Sequence, residues 1–148
     1  MKQNYDIKQI NAEDTYTVRH PILRAGKPIA TCAFDGDDLE STIHLGLFSN
    51  NNLIGVASFM KNKNEWFNNK LQYQLRGMAL LKEHQGLGLG KMMLSYGENL
   101  LKLRNIKIVW CNARETALNF YKQNDYSTIG KPFEIAEIGV HYTMYKYL

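Results

Sequence analysis

The stretch that decides the fold is Gln85-Gly86-Leu87-Gly88-Leu89-Gly90, which stands between a strand pattern and a helix pattern. Glycines lack the Cβ atoms that would keep a backbone away from a ligand, and the first amides of a helix have no partner within it. The helix dipole adds about half a positive charge at the same place, and Lys91 supplies a full one. The segment therefore predicts a phosphate-binding turn between a strand and a helix.

Two familiar classes of phosphate-binding loop fail on spacing. A Walker loop requires Gly-x-x-x-x-Gly-Lys-Ser/Thr, but Gln85 stands where its first glycine belongs and Met92 follows Lys91. A dinucleotide fingerprint requires Gly-x-Gly-x-x-Gly, whereas Lys91 and Met93 occupy the two positions where its third glycine would stand. Another kind of nucleotide-phosphate binder, or a turn that binds no ligand, stays open at this point.

The elements next to the glycines have clear periodicities. Leu71 to Leu81 alternates as a strand, and Gly77 in its middle weakens the ladder and is a candidate bulge. After the glycines, apolar residues recur at steps of three and four, which predicts a core-facing helix. These residues are Leu89, Met92, Met93, Tyr96, Leu100 and Leu103.

The rest of the chain alternates between strand and helix patterns. Further strands are predicted at residues 5–10, 42–48, 53–60, 106–111, 126–129 and 140–147. Helices are predicted from an Asn11 cap to about Pro21 and from Glu115 to Gln123. The turn at residues 49–52 predicts an antiparallel hairpin, whereas residues 24–41 look irregular.

Size and composition allow one ordinary domain over residues 1–148. The chain has 17.1 kDa, 45% apolar and 22% charged residues, close to the averages of globular proteins. A run of about 18 apolar residues and an apolar N-terminal stretch are both lacking, so we expect a cytoplasmic protein without a membrane partner. Cys32 and Cys111 are far apart and outside any Cys-x-x-Cys spacing, which indicates buried, reduced thiols and no metal site.

The net charge of +4 and the pI near 9.0 suit either a nucleic acid or a small polyanionic ligand. Lysines and arginines are spread along the chain, without a run of five or an aromatic-basic ribonucleoprotein motif. We therefore expect no nucleic-acid partner.

Gln85-x-x-Gly88-x-Gly90 resembles the Gln/Arg-x-x-Gly-x-Gly/Ala acetyl-CoA motif of the GNAT acetyltransferase superfamily. Residues 75–80 resemble the strand before that motif, and residues 108–114 followed by Ala117-x-x-Phe120-Tyr121 resemble the strand and helix after it. Many members continue with Gly-Phe, where this chain has Asp125-Tyr126. The resemblance extends over roughly residues 42–130 and is loose in the N-terminal third.

The resemblance implies an α/β (α+β) fold with a mixed, mostly antiparallel central sheet, a splayed parallel strand pair and flanking helices. It also implies acetyl-CoA as co-substrate, with its pyrophosphate on the backbone of residues 85–91 and its pantetheine arm paired to the backbone of Met78 and Leu80. The Met78 amide would act as an oxyanion donor. The full set of implied cofactor contacts is Met78, Ala79, Leu80, Gln85, Gly86, Leu87, Gly88, Leu89, Gly90, Lys91, Asn112, Ala117, Phe120 and Tyr121.

The resemblance makes Tyr121 the general acid that protonates the leaving thiolate, with Asn112 bonded to the pantetheine or to Tyr121. A phenol has a reference pKa of about 10 and a thiol of about 8.5, so donation is uphill unless the site stabilises the tyrosinate or the proton moves late. The strand at 71–81 carries no carboxylate base. His44 and His141 are therefore candidate bases, beside a water chain or an amine that arrives deprotonated.

The acceptor is left open by the sequence. Candidate substrate contacts are Arg19, Arg24, His44 and His141. Arginines bind a carboxylate or phosphate, whereas Asp37 and Asp38 would bind a cation. We expect direct attack by a primary amine of a small molecule in a ternary complex. The alternatives are a protein N-terminus or lysine as acceptor, and a non-catalytic CoA-binding sensor or interaction module; a monomer and a homodimer are both open.

Overall fold

The computed structural model describes residues 4–148, which form eight strands and three α-helices. The strands are β1 Tyr5–Gln9, β2 Ile43–Ser49, β3 Asn52–Met60, β4 Gln72–Leu80, β5 Ile108–Arg114, β6 Ser127–Thr128, β7 Phe133–Ile135 and β8 Gly139–Tyr147. The helices are α1 Tyr16–Leu23, α2 Leu89–Leu103 and α3 Leu118–Gln123. Short 3₁₀ turns lie at Ala12–Thr15, Ile29–Cys32, Lys82–His84 and Glu115–Ala117. Within residues 4–148, no helix has the length and apolar character needed to span a bilayer.

The strand order is β1-β2-β3-β4-β5-β8-β6, and β7 pairs with β8. The pairs β1–β2, β2–β3, β5–β8, β6–β8 and β7–β8 are antiparallel, whereas β4 and β5 run parallel. A parallel pair needs a crossover connection, and α2 lies between β4 and β5 in the chain. The predicted mixed sheet with one parallel pair and flanking helices is confirmed.

The parallel ladder is short. It joins Gln72 to Ile108, Tyr73 to Val109 and Gln74 to Trp110, while β4 continues to Leu80 and β5 to Arg114. In the described part of the chain, the ladder thus ends before either strand does.

The chain divides into two compact units, which we describe separately; the prediction of one domain stays a prediction. The first unit comprises the residues up to Met60 together with Leu75–Asn99. Its hairpin joins Ile43 opposite Phe59 at one end and turns through Asn50 and Asn51, both with positive φ, as tight hairpin turns require. The predicted asparagine turn is therefore present.

The second unit comprises Lys61–Gln74 and Leu100–Leu148. In its core, Phe67 packs with Ile108 and Trp110 of β5, and half-buried Ile129 and Tyr145 cover them. The Trp110 indole donates a hydrogen bond to the Asn62 carbonyl at 3.1 Å. Burying apolar side chains on both faces of β5 explains why its sequence is a continuous apolar run.

The helices differ from the prediction in two details. Helix α1 continues past Pro21 to Leu23. Proline cannot donate a backbone hydrogen bond, but its fixed φ is compatible with a helix. In α2, Met92, Tyr96 and Leu103 are substantially exposed. Its buried face is formed by Leu89, Met93, Leu94 and Leu101. The predicted stripe and the buried face share Leu89 and Met93. Packing buries Leu94 and Leu101 in addition, and it leaves the other side of the predicted stripe exposed. Strand β7 was not predicted.

Candidate active site

The glycine-rich turn connects the end of β4 to the start of α2. The Gln85 side chain donates a hydrogen bond from Nε2 to the Leu80 carbonyl at 2.9 Å, so it ties the turn to the strand end. Gly86 and Gly88 have φ of +79° and +78°, and a Cβ on either would meet no heavy atom within 4 Å. These conformations are readily adopted by glycine and leave open space beside the backbone.

Helix α2 directs its free amides towards this turn. Its first backbone bond runs from the Met92 N–H to the Gly88 carbonyl at 3.3 Å, so the amides of Leu89, Gly90 and Lys91 precede every intrahelical donor. Lys91 itself is exposed. Free amides, the helix dipole and a Cβ-free approach together fit the pyrophosphate of coenzyme A.

The end of β4 contains the predicted irregularity. Gly77 has φ of +63°, in the left-handed region that interrupts a regular pleat. Met78 and Leu80 after it are half-buried, and the Ala79 side chain is buried. A contact of Met78 or Leu80 backbone with a pantetheine arm stays a prediction.

Arg19 of α1 forms a fully buried ion pair. Its Nη1 and Nη2 donate to the Asp37 carboxylate at 2.7 and 3.1 Å. Further donations reach the Cys32 carbonyl at 2.8 Å and Ser58 Oγ at 2.9 Å. Burial acting alone would raise the pKa of Asp37, but the hydrogen bonds from Arg19 and from the Phe34 amide outweigh it and lower that pKa.

Phe34, in the predicted irregular segment, collects three guanidinium groups around one ring. Arg19, Arg76 and Arg24 lie 4.0, 4.7 and 5.1 Å from the ring centroid. Burial, followed by the charge of Arg19, lowers the pKa of Arg76. Neither Arg24 nor Arg76 forms an ion pair with a carboxylate in the described part of the chain. Two of the three guanidinium groups around Phe34 thus have no ion-pair partner among residues 4–148.

His44, a candidate base and substrate contact, belongs to the same buried network. Its Nδ1 lies 2.7 Å from Ser58 Oγ, and its Nε2 lies 2.8 Å from the Asp37 carbonyl. Both ring nitrogens are therefore engaged by protein atoms. The arrangement suits a structural role for His44 and leaves no nitrogen for an incoming amine.

In the second unit, Asn112 lies on β5 opposite Thr143 of β8. Thr143 Oγ1 donates a hydrogen bond to Asn112 Oδ1 at 3.1 Å, and the Asn112 residue is exposed. Because this hydrogen bond uses the amide oxygen of Asn112, the amide nitrogen is the atom that can donate a hydrogen bond to a ligand. Ala117, the residue before α3, and Phe120 are half-buried.

Tyr121 of α3 is buried and hydrogen-bonded to a thiol. Its hydroxyl shares a hydrogen bond with the side chain of Cys111 on β5. Phe120 and Tyr126 contact the Tyr121 ring edge-on, at centroid distances of 5.1 and 5.4 Å. Burial, together with Cys111, raises the pKa of Tyr121 well above its usual range, and burial raises that of Cys111 to about 12. Both groups therefore keep their protons at neutral pH.

His141 is buried on β8 opposite Arg114, and its ring stacks on Phe133 at 5.9 Å. Its Nδ1 lies 2.9 Å from the Gly139 carbonyl, which can only accept a hydrogen bond. The Nδ1 atom must therefore be the protonated one, and the Nε2 of the neutral ring bears the lone pair. This is the protonation pattern of a general base.

Sequence reasoning missed three of these residues. Phe34 lies in a segment that looks irregular, Arg76 lies in the strand pattern at 71–81 with no function predicted for it, and Cys111 is predicted only to be buried and reduced. The available signal was Arg76 directly before Gly77, because a charge beside a candidate bulge in an apolar strand is unusual. Residues 4–148 contain no group of three His, Cys, Asp or Glu side chains arranged to hold a metal ion.

Two comparisons with known proteins point to the same family of acetyltransferases. The model of the acetyltransferase (GNAT) family matches residues 4–126. The uncharacterized N-acetyltransferase YitI of Bacillus subtilis (strain 168) is 36% identical over 143 residues, which are 97% of this chain and 96% of that protein.

Solved structures with low identity share the fold. An aminoglycoside 6'-N-acetyltransferase complexed with coenzyme A is 10% identical, with a TM-score of 0.76 and 96% of each chain covered. An acetyltransferase of the GNAT family from Streptococcus pneumoniae is 14% identical, with a TM-score of 0.70, covering 98% of this chain and all of that one.

Proposed function

This chain belongs to the GNAT family of acetyltransferases, and from that premise we propose that it acetylates the primary amine of a small molecule that also carries a carboxylate or phosphate. The observation that carries the choice of acceptor is the guanidinium cluster on Phe34. The donor is acetyl-CoA, whose thioester supplies the acetyl group.

The charges around Phe34 favour an anionic acceptor. Arg19 is neutralised by Asp37, while the acceptors of Arg24 among residues 4–148 are the backbone carbonyls of Leu23 and Thr31. Arg76 is half-buried, so its charge is poorly solvated, and repulsion by Arg19 is only partly offset by attraction to Asp37. An anion that binds Arg24 and Arg76 would relieve this repulsion, and guanidinium groups bind carboxylates and phosphates through paired hydrogen bonds.

The donor would be held largely by backbone atoms. The amides at the start of α2 support binding of the pyrophosphate, and the glycine conformations of the turn allow its close approach. The resemblance adds the backbone of Met78 and Leu80 as partners of the pantetheine arm. The side chains of the glycine-rich turn would then contribute mainly by being small enough to let the donor approach the backbone.

Two residues of the second unit suit the proton transfers. Tyr121 is proposed as the general acid, because its raised pKa keeps the hydroxyl protonated at neutral pH. The same raised pKa makes proton donation to a thiolate uphill, so the proton would move late, as the thiolate leaves. His141 is proposed as the general base, because its Nε2 can accept a proton from the attacking amine and both His44 nitrogens are engaged.

The test uses matched pairs of amines with acetyl-CoA, read by thiol release. The pairs are glycine with glycinamide and 2-aminoethyl phosphate with ethanolamine. We expect the anionic member to have a kcat/KM at least about tenfold higher, since a hydrogen bond between charged groups contributes about 1.5–3 kcal/mol.

The variant Arg76→Leu should remove this preference, and Arg76→Lys, which keeps the charge but not the planar fork, should retain part of it. Equal rates within each pair would contradict the acceptor class. A protein that is stabilised by acetyl-CoA yet turns over no amine or peptide would instead be a CoA-binding sensor.

A further inference from the structure

Asp37 belongs to the buried ion pair and also binds the backbone of Phe34, the ring around which the guanidinium groups gather. Its carboxylate accepts hydrogen bonds from Arg19 and also, at 2.9 Å, from the backbone amide of Phe34. Burying an ion pair carries a desolvation penalty that its attraction often fails to exceed, so stability alone does not account for it. The pair instead has a geometric consequence for Phe34.

Phe34 is fixed from three sides. Asp37 holds its amide, the Arg19 guanidinium covers its ring, and its Cε2 edge approaches β4. The approach requires glycine, because a Cβ at Gly77 would lie 2.9 Å from Phe34 Cε2. The ring therefore has little freedom to turn.

The same ring determines where two other cations lie. Arg24 and Arg76 are both within about 6 Å of its centroid, the range in which a guanidinium is attracted to a ring face. This attraction depends on the orientation of the ring, so a ring that turns releases both.

We propose that Asp37 is a positioning residue for the acceptor: by holding Phe34 it sets the separation and direction of Arg24 and Arg76 for one anionic group. The inference rests on the proposed function and adds to it a specificity determinant that does not itself contact the anion. Acceptors with a carboxylate or phosphate depend on Asp37, and neutral amines do not.

The experiment measures steady-state kinetics of Asp37→Asn with glycine, glycinamide, 2-aminoethyl phosphate and ethanolamine. We expect the KM of each anionic amine to rise by at least about tenfold, the loss of roughly one charge-assisted hydrogen bond. The kcat, the KM of acetyl-CoA and the KM of each neutral amine should stay within about threefold.

Two further variants separate positioning from general damage. Phe34→Leu keeps apolar bulk and the Arg19–Asp37 pair but cannot stack a guanidinium, so it should reproduce the same selective rise in KM. Ser58→Ala removes one hydrogen bond from Arg19 and one from His44 without touching Phe34, and should leave the ratio of KM values within each pair unchanged. The melting temperature of each variant shows how much stability it has lost, so that a change in KM can be compared with the loss of stability.

The outcomes distinguish the two proposals. If wild-type protein shows no preference for the anionic amines, the proposed acceptor class fails already in the unaltered chain. If wild type has the preference but Asp37→Asn and Phe34→Leu change both members of a pair equally, the positioning role is overturned. Should Asp37→Asn not fold, Asp37→Glu, which keeps the charge and displaces the carboxylate by one methylene, is measured in its place with the same expectation.

Discussion

The two compact units bury polar groups in opposite states. In the first, Arg19 and Asp37 are buried as ions, because each supplies the other's counter-charge. In the second, Cys111 and Tyr121 are buried as neutral groups, and desolvation raises the pKa of both. The same burial therefore stabilises either charge or protonation, depending on the partner that the fold provides.

This difference matches what each unit has to do in the proposed reaction. In that proposal, the glycine-rich turn and the guanidinium groups of the first unit bind negative charge without exchanging protons. Tyr121 and His141 of the second unit donate and accept protons. Charge recognition and proton transfer are thus assigned to different parts of the sequence, and the following predictions test that assignment.

The largest expected effect is that of Tyr121→Phe. Removing a general acid slows the chemical step by about 100- to 10,000-fold, while acetyl-CoA affinity should stay within a few fold. Single-turnover rates and a thermal shift with acetyl-CoA measure the two quantities. Tyr126→Phe, a second buried tyrosine next to Tyr121, is the matched control. An unchanged single-turnover rate in Tyr121→Phe would remove it from the acid role.

A smaller effect is expected for His141→Gln. We expect kcat/KM near pH 7 to fall by about 100-fold, the lower limit for a lost general base. The loss should shrink towards pH 9, where more of the amine arrives deprotonated. His44→Gln is the control, and should lower the melting temperature while leaving the pH profile of kcat/KM unchanged. Identical pH profiles for wild type and His141→Gln would contradict the assignment.

Next in size is the effect of Gly88→Ala on the donor. A left-handed conformation costs a non-glycine residue about 1–2 kcal/mol, and the added Cβ would also occupy the open side of the turn. We expect acetyl-CoA to bind about tenfold more weakly by calorimetry. Gly26→Ala is matched, with φ of +76° and equally open surroundings. It should show the same loss of stability and no loss of affinity for acetyl-CoA. Equal affinities in the two variants would exclude the glycine-rich turn as the pyrophosphate site.

The smallest effects concern how the free energy of unfolding changes with pH. The slope of this dependence has opposite signs for Cys111 in the second unit and Asp37 in the first. A folded-state pKa raised from 9.0 to about 12 means that Cys111 stabilises the folded protein below pH 9 and loses this as pH rises towards 12. The slope is at most about 1.4 kcal/mol per pH unit. Urea unfolding above pH 9 should show a flatter profile for Cys111→Ala.

For Asp37 the sign is reversed. Its lowered pKa means that the unfolded chain takes up the proton first as pH falls, so the folded state loses stability below about pH 4. Asp37→Asn should be less stable at neutral pH and lose less between about pH 5 and pH 3. If both variants flatten the same limb of the profile, the contrast between the units is wrong.

The sequence predicted the elements around the glycine-rich turn well and the cluster around Phe34 not at all, for a physical reason. The glycine-rich turn and its flanking elements are contiguous, so their spacing alone carried the interpretation. The guanidinium cluster joins α1, an irregular segment and β4, and nothing local brings Phe34 to Arg76. Helix α2 shows the same limit on a smaller scale, because two apolar stripes satisfy its periodicity and only packing against the sheet distinguishes them.

Gly77 has a practical consequence for anyone who wishes to change the acceptor. Libraries that vary residues 24–41 would reshape the surroundings of Phe34, yet every member depends on the missing Cβ at 77, since Phe34 Cε2 and Arg19 Nε lie 2.9 and 3.1 Å from where it would stand. Directed evolution should therefore hold position 77 constant and diversify the segment around Phe34. New acceptor preferences would then be selected without redesigning the glycine-rich turn, the proposed binding site of the donor.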